Sequence, residues 1–148
     1  MSDHFAEVNW VYQAHASQTD TYSRDHTVTL ENGQIVANSA ASSFLGNATM
    51  SNPETLLLAA LASCHMLTFL AVASKRGFHV EQYQDKIEGT LAKNAVGRMA
   101  ITHCLLSPKI VFSNEKIPST EELAKLHDSA HRNCFIANTI SAHVEIRS

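Results

Sequence analysis

Two cysteines and a histidine are the residues of this chain best suited to chemistry. Cys64 and His65 lie in the middle of twenty residues without a fixed charge, from Thr55 to Ser74, and Cys134 lies at the end of a second helical pattern. A thiolate is a nucleophile, and two thiols whose Cα atoms approach within about 7 Å can form a disulfide. These residue types indicate redox chemistry, although their spacing alone does not show that the two sulfurs meet.

Histidines near the second cysteine allow a different interpretation, a zinc site. His127 and His131 are four residues apart and Cys134 follows three residues later, so one helix face carries all three. Cys64 or His65 would complete a set of four ligands. Because the chain has no Cys-x-x-Cys pair and no zincin motif, we interpret His127 and His131 as polar residues at a helix edge and His65 as a packed helix residue. Zinc binding is kept as an alternative.

The composition is that of a globular protein with its own core. The 148 residues are 45% hydrophobic and 17% charged, and the net charge is −3. Lysine and arginine cluster only at Lys75-Arg76, so we expect no nucleic-acid partner. The first ten residues lack the pattern of a secretory signal, and three cysteines are an odd number, so we expect a cytoplasmic protein. No repeat or linker interrupts the chain, and we predict one domain over residues 1–148.

The apolar segment around Cys64 is predicted to be a helix of residues 53–75. Ser51 or Asn52 can cap it, Pro53 suits its first turn, and Gly77 suits the left-handed residue after its end. Twenty uncharged residues can span a bilayer, but polar residues interrupt this run and the flanking segments read as strands of a soluble protein. We therefore expect no membrane partner, and a helix apolar on every side is expected to need a second subunit to cover it.

The remaining elements predict an α+β fold with mainly antiparallel sheet. Residues 26–38 read as a hairpin, with Asn32-Gly33 as a type I′ turn. Residues 85–93 and 98–112 read as two strands around a turn at 94–97, and Cys104 on the second of them reads as a core residue. A second helix is predicted from Ser119, which can form a capping box with Glu122, and the chain ends in a strand.

Two segments resemble the OsmC/Ohr family of thiol peroxidases. They are NPETLLLAALASCHMLTFLA at 52–71 and HDSAHRNCFIANTISAHVEI at 127–146. The resemblance extends from about residue 22 to the C-terminus. It implies an OsmC-like fold in which antiparallel sheets wrap around a long apolar central helix in an intertwined homodimer. It also implies an organic hydroperoxide reductase that uses no cofactor and no metal.

The same resemblance implies roles for four residues. Cys64 would be the peroxidatic cysteine and Cys134 the resolving cysteine. Glu54 matches the family's glutamate, and Arg24 is the candidate for its arginine, with Arg98 as the other candidate. An arginine stays protonated when it is desolvated and can stabilise a thiolate, while a glutamate can hold the arginine by a bidentate pair. Ten helical residues span about 15 Å, so we expect Glu54 of one chain to approach Cys64 of its partner across antiparallel helices.

The implied partners are an organic hydroperoxide and an external dithiol reductant, of the lipoyl type or the thioredoxin type. An apolar wall would favour bulky organic peroxides, with Leu57, Leu61, Phe69 and Phe135 as candidates. The alternative from another class of function is a non-catalytic module that binds a hydrophobic ligand on the same fold.

Overall fold

The N-terminal part of the chain forms a three-stranded antiparallel sheet in the computed structural model, which describes residues 1–148. Residues 1–56 and residues 57–148 form two compact units. In the first unit, β1 (Ala6–Asn9), β2 (His26–Leu30) and β3 (Ile35–Asn38) lie side by side in chain order. A 3₁₀ turn at Ser42–Phe44 follows. The prediction of one domain over the whole chain stays a prediction.

The β2–β3 hairpin is confirmed, but its predicted turn type is wrong. A type I′ turn needs positive φ at both central residues, whereas only Gly33 has it, at 86°. The backbone N–H of Leu30 donates to the carbonyl of Gln34 at 2.8 Å, so the loop contains three residues rather than two. Gly33 supplies the left-handed residue that such a loop requires, and Asn32 does not need to adopt it.

The long helix α1 (Pro53–Lys75) has the predicted limits. Asn52 caps its start, because its side-chain oxygen accepts from the backbone N–H of Thr55 at 2.9 Å. Gly77, with φ of 78°, ends it. The backbone N–H groups of Gly77 and Phe78 donate to the carbonyls of Ser74 and Ala73, which is the Schellman arrangement.

The second unit contains two small sheets. β4 (Val80–Asp85) pairs with β7 (Pro108–Phe112), and β5 (Glu88–Lys93) pairs with β6 (Met99–Leu106), both antiparallel. β8 (His143–Ile146) runs parallel to β6, and the other strand pairs are antiparallel.

Two details of the strand prediction are wrong. The single strand expected over residues 98–112 is two strands, because the chain changes sheets at Ser107, whose backbone N–H donates to Asp85 at 2.7 Å. The strand β4 was not predicted, since its sequence, VEQYQD, alternates too weakly to indicate one.

The second predicted helix is confirmed as α2 (Thr120–Asn133), including its capping box between Ser119 and Glu122. A short helix that was not predicted, α3 (Phe135–Thr139), follows, and Cys134 lies between the two.

Two apolar clusters form the core of the second unit, and α1 contributes to both. One cluster packs Phe69 and Ala73 of α1 against Leu126 and Ala130 of α2. The other packs Leu61 of α1 against β6 and the segment around Cys134. The buried residues of α1 are Leu61, His65, Phe69 and Ala73, spaced four apart, so they form one stripe along the helix. Most of its remaining surface is not buried within the chain.

Candidate functional site

Cys64 and Cys134 meet in the second apolar cluster. Cys134 is fully buried there together with Leu61, Cys104 and Leu106, and Cys64 packs against this group from α1 while remaining partly exposed. All three cysteines are free thiols. The structure therefore brings together the two sulfurs that were predicted to react, one reachable from outside and one enclosed.

The environment of Cys134 favours its protonated form. Burial raises the pKa of this thiol to about 11, and the neighbouring Cys64 thiol adds to the increase. The backbone N–H of Ala137, which donates to the Cys134 sulfur at 3.5 Å, acts in the opposite direction but does not offset burial. Cys134 is therefore a thiol at neutral pH, which makes it a poor first nucleophile.

Cys104 is a core residue, as predicted. Its side chain is fully buried on β6, and burial raises the pKa of its thiol. The Cys64 thiol contributes to the raised pKa of the Cys134 thiol, so these two sulfurs are neighbours. We therefore treat Cys64 and Cys134 as the reactive candidates and Cys104 as an unreactive control cysteine.

The predicted apolar wall is only partly confirmed. Leu61 lies in the same cluster as both sulfurs. Phe69 belongs to the other cluster, beside Leu126, and Phe135 is 80% exposed. Phe69 lies on the same buried stripe of α1 as Leu61, but about two helical turns further along, whereas Phe135 begins α3 at the surface.

Arg24 and Glu54 lie in the first unit, and they do not form an ion pair within the chain. The Arg24 guanidinium lies 3.9 Å from the centre of the Tyr22 ring and donates to the Thr21 hydroxyl at 3.1 Å and to the Tyr22 carbonyl. One carboxylate oxygen of Glu54 is buried without any hydrogen-bond partner. Burying a carboxylate oxygen without a hydrogen-bond partner is costly. The single chain supplies no donor to this oxygen of Glu54.

Arg24 also lines a shallow, almost wholly apolar hollow of about 350 Å³. Its other lining residues are Val8, Trp10, Tyr22 and His26. A fixed positive charge beside aromatic and aliphatic surface is an environment that suits an organic molecule with one polar end. Arg98, the other arginine considered, is exposed on the turn before β6 and lines no such hollow.

The histidines pack between helices. His65 of α1 and His127 of α2 are 1% and 3% exposed, and their Nε2 and Nδ1 atoms are 3.1 Å apart. Burial lowers the pKa of each to about 4. The prediction that His127 lies at a polar helix edge is wrong, because its side chain turns inward against Phe69.

The zinc ligand set is not assembled. No group of three or more histidine, cysteine, aspartate or glutamate side chains is arranged to hold a metal ion. The Nδ1 atom of His127 instead forms a hydrogen bond with the Nε2 atom of His65.

Comparison with known proteins supports the resemblance seen in the sequence. The family model described as OsmC-like protein matches residues 46–148. An OsmC-like protein of unknown function from Vibrio cholerae is 38% identical, each chain covers 99% of the other, and the TM-score is 0.92. The uncharacterized protein YmaD of Bacillus subtilis is 26% identical over 99% of this chain and 93% of its own length.

More distant structures share the fold. An organic hydroperoxide resistance protein OsmC from Legionella pneumophila has a TM-score of 0.74 at 18% identity, with 99% of this chain and 95% of that chain covered. The organic hydroperoxide resistance protein OhrB of Bacillus subtilis has a TM-score of 0.62 at 18% identity, over 97% and 98% of the two chains. The predicted α+β architecture is confirmed by these likenesses. The 23-residue apolar helix α1 is long and apolar enough to cross a membrane, but it is the core helix of this small soluble fold.

Proposed function

The chain belongs to the OsmC-like protein family, and from that premise we propose that it is a thiol peroxidase that reduces organic hydroperoxides to alcohols. The observation that carries the proposal is the meeting of Cys64 and Cys134 in one apolar cluster with unequal exposure. The names of two structural relatives, which describe organic hydroperoxide resistance, support the choice of substrate class.

The first step is attack by the Cys64 thiolate on the outer oxygen of the hydroperoxide. The S–O bond forms as the O–O bond breaks, the sulfur is oxidised to a sulfenic acid, and the alkoxide takes a proton to leave as an alcohol. Cys64 is suited to this step because it is the sulfur of the pair that remains partly exposed. The thiolate, rather than the thiol, is the reacting form.

The second step joins Cys64 and Cys134. The Cys134 sulfur attacks the sulfenic acid, a disulfide forms, and the hydroxide leaves as water with the Cys134 proton. Because Cys134 lies beside Cys64 within the cluster, condensation can precede further oxidation of the sulfenic acid. An external dithiol, of the lipoyl or thioredoxin type, then reduces the disulfide by exchange and returns both thiols.

Arg24 supplies the positive charge that the reacting thiolate needs. Its guanidinium stabilises the negative charge on sulfur, and Glu54 orients the guanidinium. The unpartnered buried oxygen of Glu54 supports this assignment, since an arginine is the donor that would satisfy it. We place the pair at Cys64 within a homodimer in the cytoplasm, where the second copy also covers the apolar surface of α1.

The direct test is thiol loss after addition of one equivalent of cumene hydroperoxide to the reduced protein. We expect loss of two thiols per chain, at a rate far above that of free cysteine, and slower loss with hydrogen peroxide. Cys64→Ser should abolish the fast reaction, while Cys104→Ser, the matched control, should retain it. A protein that only binds hydrophobic ligands would show the rate of free cysteine in every variant, and that result would exclude the proposal.

A further inference from the structure

The backbone at Arg24 is held from one side by a chain of two hydrogen bonds. The Nδ1–H of His26 donates to the Arg24 carbonyl at 2.8 Å. The proton on Nδ1 leaves Nε2 as an acceptor, and the side-chain amide of Asn38 donates to it at 3.1 Å. Asn38 is 2% exposed, so the β3 end of this connection is shielded from water.

The other side of Arg24 is held through its neighbour Asp25. The hydroxyl of Ser39, which is fully buried, donates to one Asp25 carboxylate oxygen at 2.9 Å. The amide of Asn47 donates to the other oxygen at 3.2 Å, and the backbone N–H of Asn47 donates to the Ser39 hydroxyl at 3.0 Å. Ser39 is therefore the centre of a second network that ends beside the arginine.

Asn38, the last residue of β3, and Ser39, which follows it, also fix the start of α1. The backbone N–H of Ser39 donates to the Ser51 carbonyl at 2.8 Å, and Asn38 pairs with Ser51 as an isolated parallel bridge. Ser51 directly precedes Asn52, the cap of α1, and Glu54 follows in its first turn. Asn38 and Ser39 thus contact both the residues next to Arg24, namely Asp25 and His26, and Ser51, which precedes the helix that carries Glu54.

We propose that Asn38 and Ser39 are positioning residues that fix the backbone at Arg24 and the start of α1 at Glu54 in one frame, so that the guanidinium is placed for the thiolate and the carboxylate is placed to orient a guanidinium. This inference rests on the proposed function. Asn38 keeps a side-chain oxygen that is buried without a partner. A buried oxygen without a hydrogen-bond partner is costly, and an apolar residue at this position would avoid that cost. The hydrogen bond from the Asn38 amide nitrogen to His26 therefore explains the asparagine better than packing does.

The test is a double-mutant cycle on the second-order rate constant for cumene hydroperoxide. We expect Asn38→Ala to slow the reaction about tenfold and Arg24→Ala to slow it about a hundredfold, because a misplaced charge loses much of its effect. In the Arg24→Ala background, Asn38→Ala should cause no further loss. Val36→Ala, which weakens the same strand without touching these hydrogen bonds, is the control and should react at the wild-type rate. Asn47→Ala replaces Asn38→Ala if the latter fails to fold.

Two results would overturn the inference. One is a rate for Asn38→Ala and Asn47→Ala equal to that of Val36→Ala. The other is the same loss in the presence and absence of Arg24, which would mean that Asn38 acts only on stability. A wild-type protein that leaves the hydroperoxide unconsumed overturns the proposed function itself, whereas a reactive wild type with an unaffected Asn38→Ala overturns the positioning role alone.

Discussion

Cys64 and Cys134 share one apolar cluster, but their surroundings prepare them for different steps. Cys134 is fully enclosed, and burial raises the pKa of its thiol to about 11. Cys64 keeps a path to the outside. A buried protonated thiol is protected from peroxide until a sulfenic acid forms beside it, so the order of the two proposed steps follows from the environment of each sulfur.

The raised pKa of Cys134 predicts how disulfide formation depends on pH. Its thiolate fraction rises about tenfold for each pH unit below the pKa, so the resolving step should accelerate across pH 7 to 9. The sulfenic acid of Cys64 should therefore persist longer at pH 6 than at pH 9. Trapping with dimedone, followed by mass spectrometry at timed intervals, measures this persistence. Equal trapping at both pH values would contradict the assignment of Cys134 as a buried resolving thiol.

At the level of elements, α1 and α2 are joined by a pair of neutral histidines. His65 and His127 are almost fully buried, and burial lowers the pKa of each to about 4. The unfolded chain would bind these protons near pH 6.5, so it carries more protons than the folded chain between pH 6.5 and 4. Their contribution to stability is complete above pH 6.5 and is lost as the pH falls towards 4.

We therefore predict a loss of unfolding free energy between pH 6.5 and 4, of roughly 3 kcal/mol for a single histidine. Urea unfolding at a series of pH values measures it. His127→Phe should reduce the slope of stability against pH in this range, because one buried site is removed. His79→Gln, at an exposed histidine, is the control and should leave the slope unchanged. A wild-type stability that does not fall in this range would refute the buried neutral pair.

The limits of the elements could be predicted wherever their signals are local. Asn52 and Gly77 mark the ends of α1, and Ser119 marks the start of α2, because each residue satisfies backbone groups within its own turn. The break at Ser107 could not be predicted, since a distant side chain, Asp85, holds its N–H. That contact depends on the tertiary fold.

The candidate site was predictable in part for the same reason. The two cysteine segments carry a recognisable pattern, and the structure places their sulfurs together. Arg24 and Glu54 carry weaker signals, because a lone arginine beside a strand and an acid at a helix start are both common. The positioning residues Asn38 and Ser39 match no sequence pattern, since their proposed role depends on hydrogen bonds to residues of another strand and its approach.

On the scale of the whole molecule, the exposed apolar surface of α1 requires a cover. Only four of its 23 residues are buried within the chain, and Leu67 in its middle is 60% exposed. A core helix in water that leaves this much apolar surface uncovered is expected to associate. A homodimer is the assembly that the proposed function needs, because it would also bring Glu54 to a thiolate about 15 Å further along a helix axis.

We predict that the purified protein is a dimer by sedimentation equilibrium. Leu67→Lys should shift it to monomers and lower the peroxide reaction by at least tenfold, since a charge would be buried at the interface. Leu91→Lys, at an exposed apolar residue of β5, is the control and should remain dimeric. A wild-type monomer with full activity would contradict both the dimer and the shared site.

The central claim is that Cys64 reduces the hydroperoxide and Cys134 captures the oxidised sulfur. Peptide mapping after one equivalent of cumene hydroperoxide, with free thiols blocked before digestion, tests it most directly. The account predicts one intrachain or interchain disulfide between peptides carrying Cys64 and Cys134, stoichiometric cumyl alcohol, and Cys104 fully blocked as a free thiol. Recovery of all three cysteines as free thiols, with the hydroperoxide intact, would contradict it.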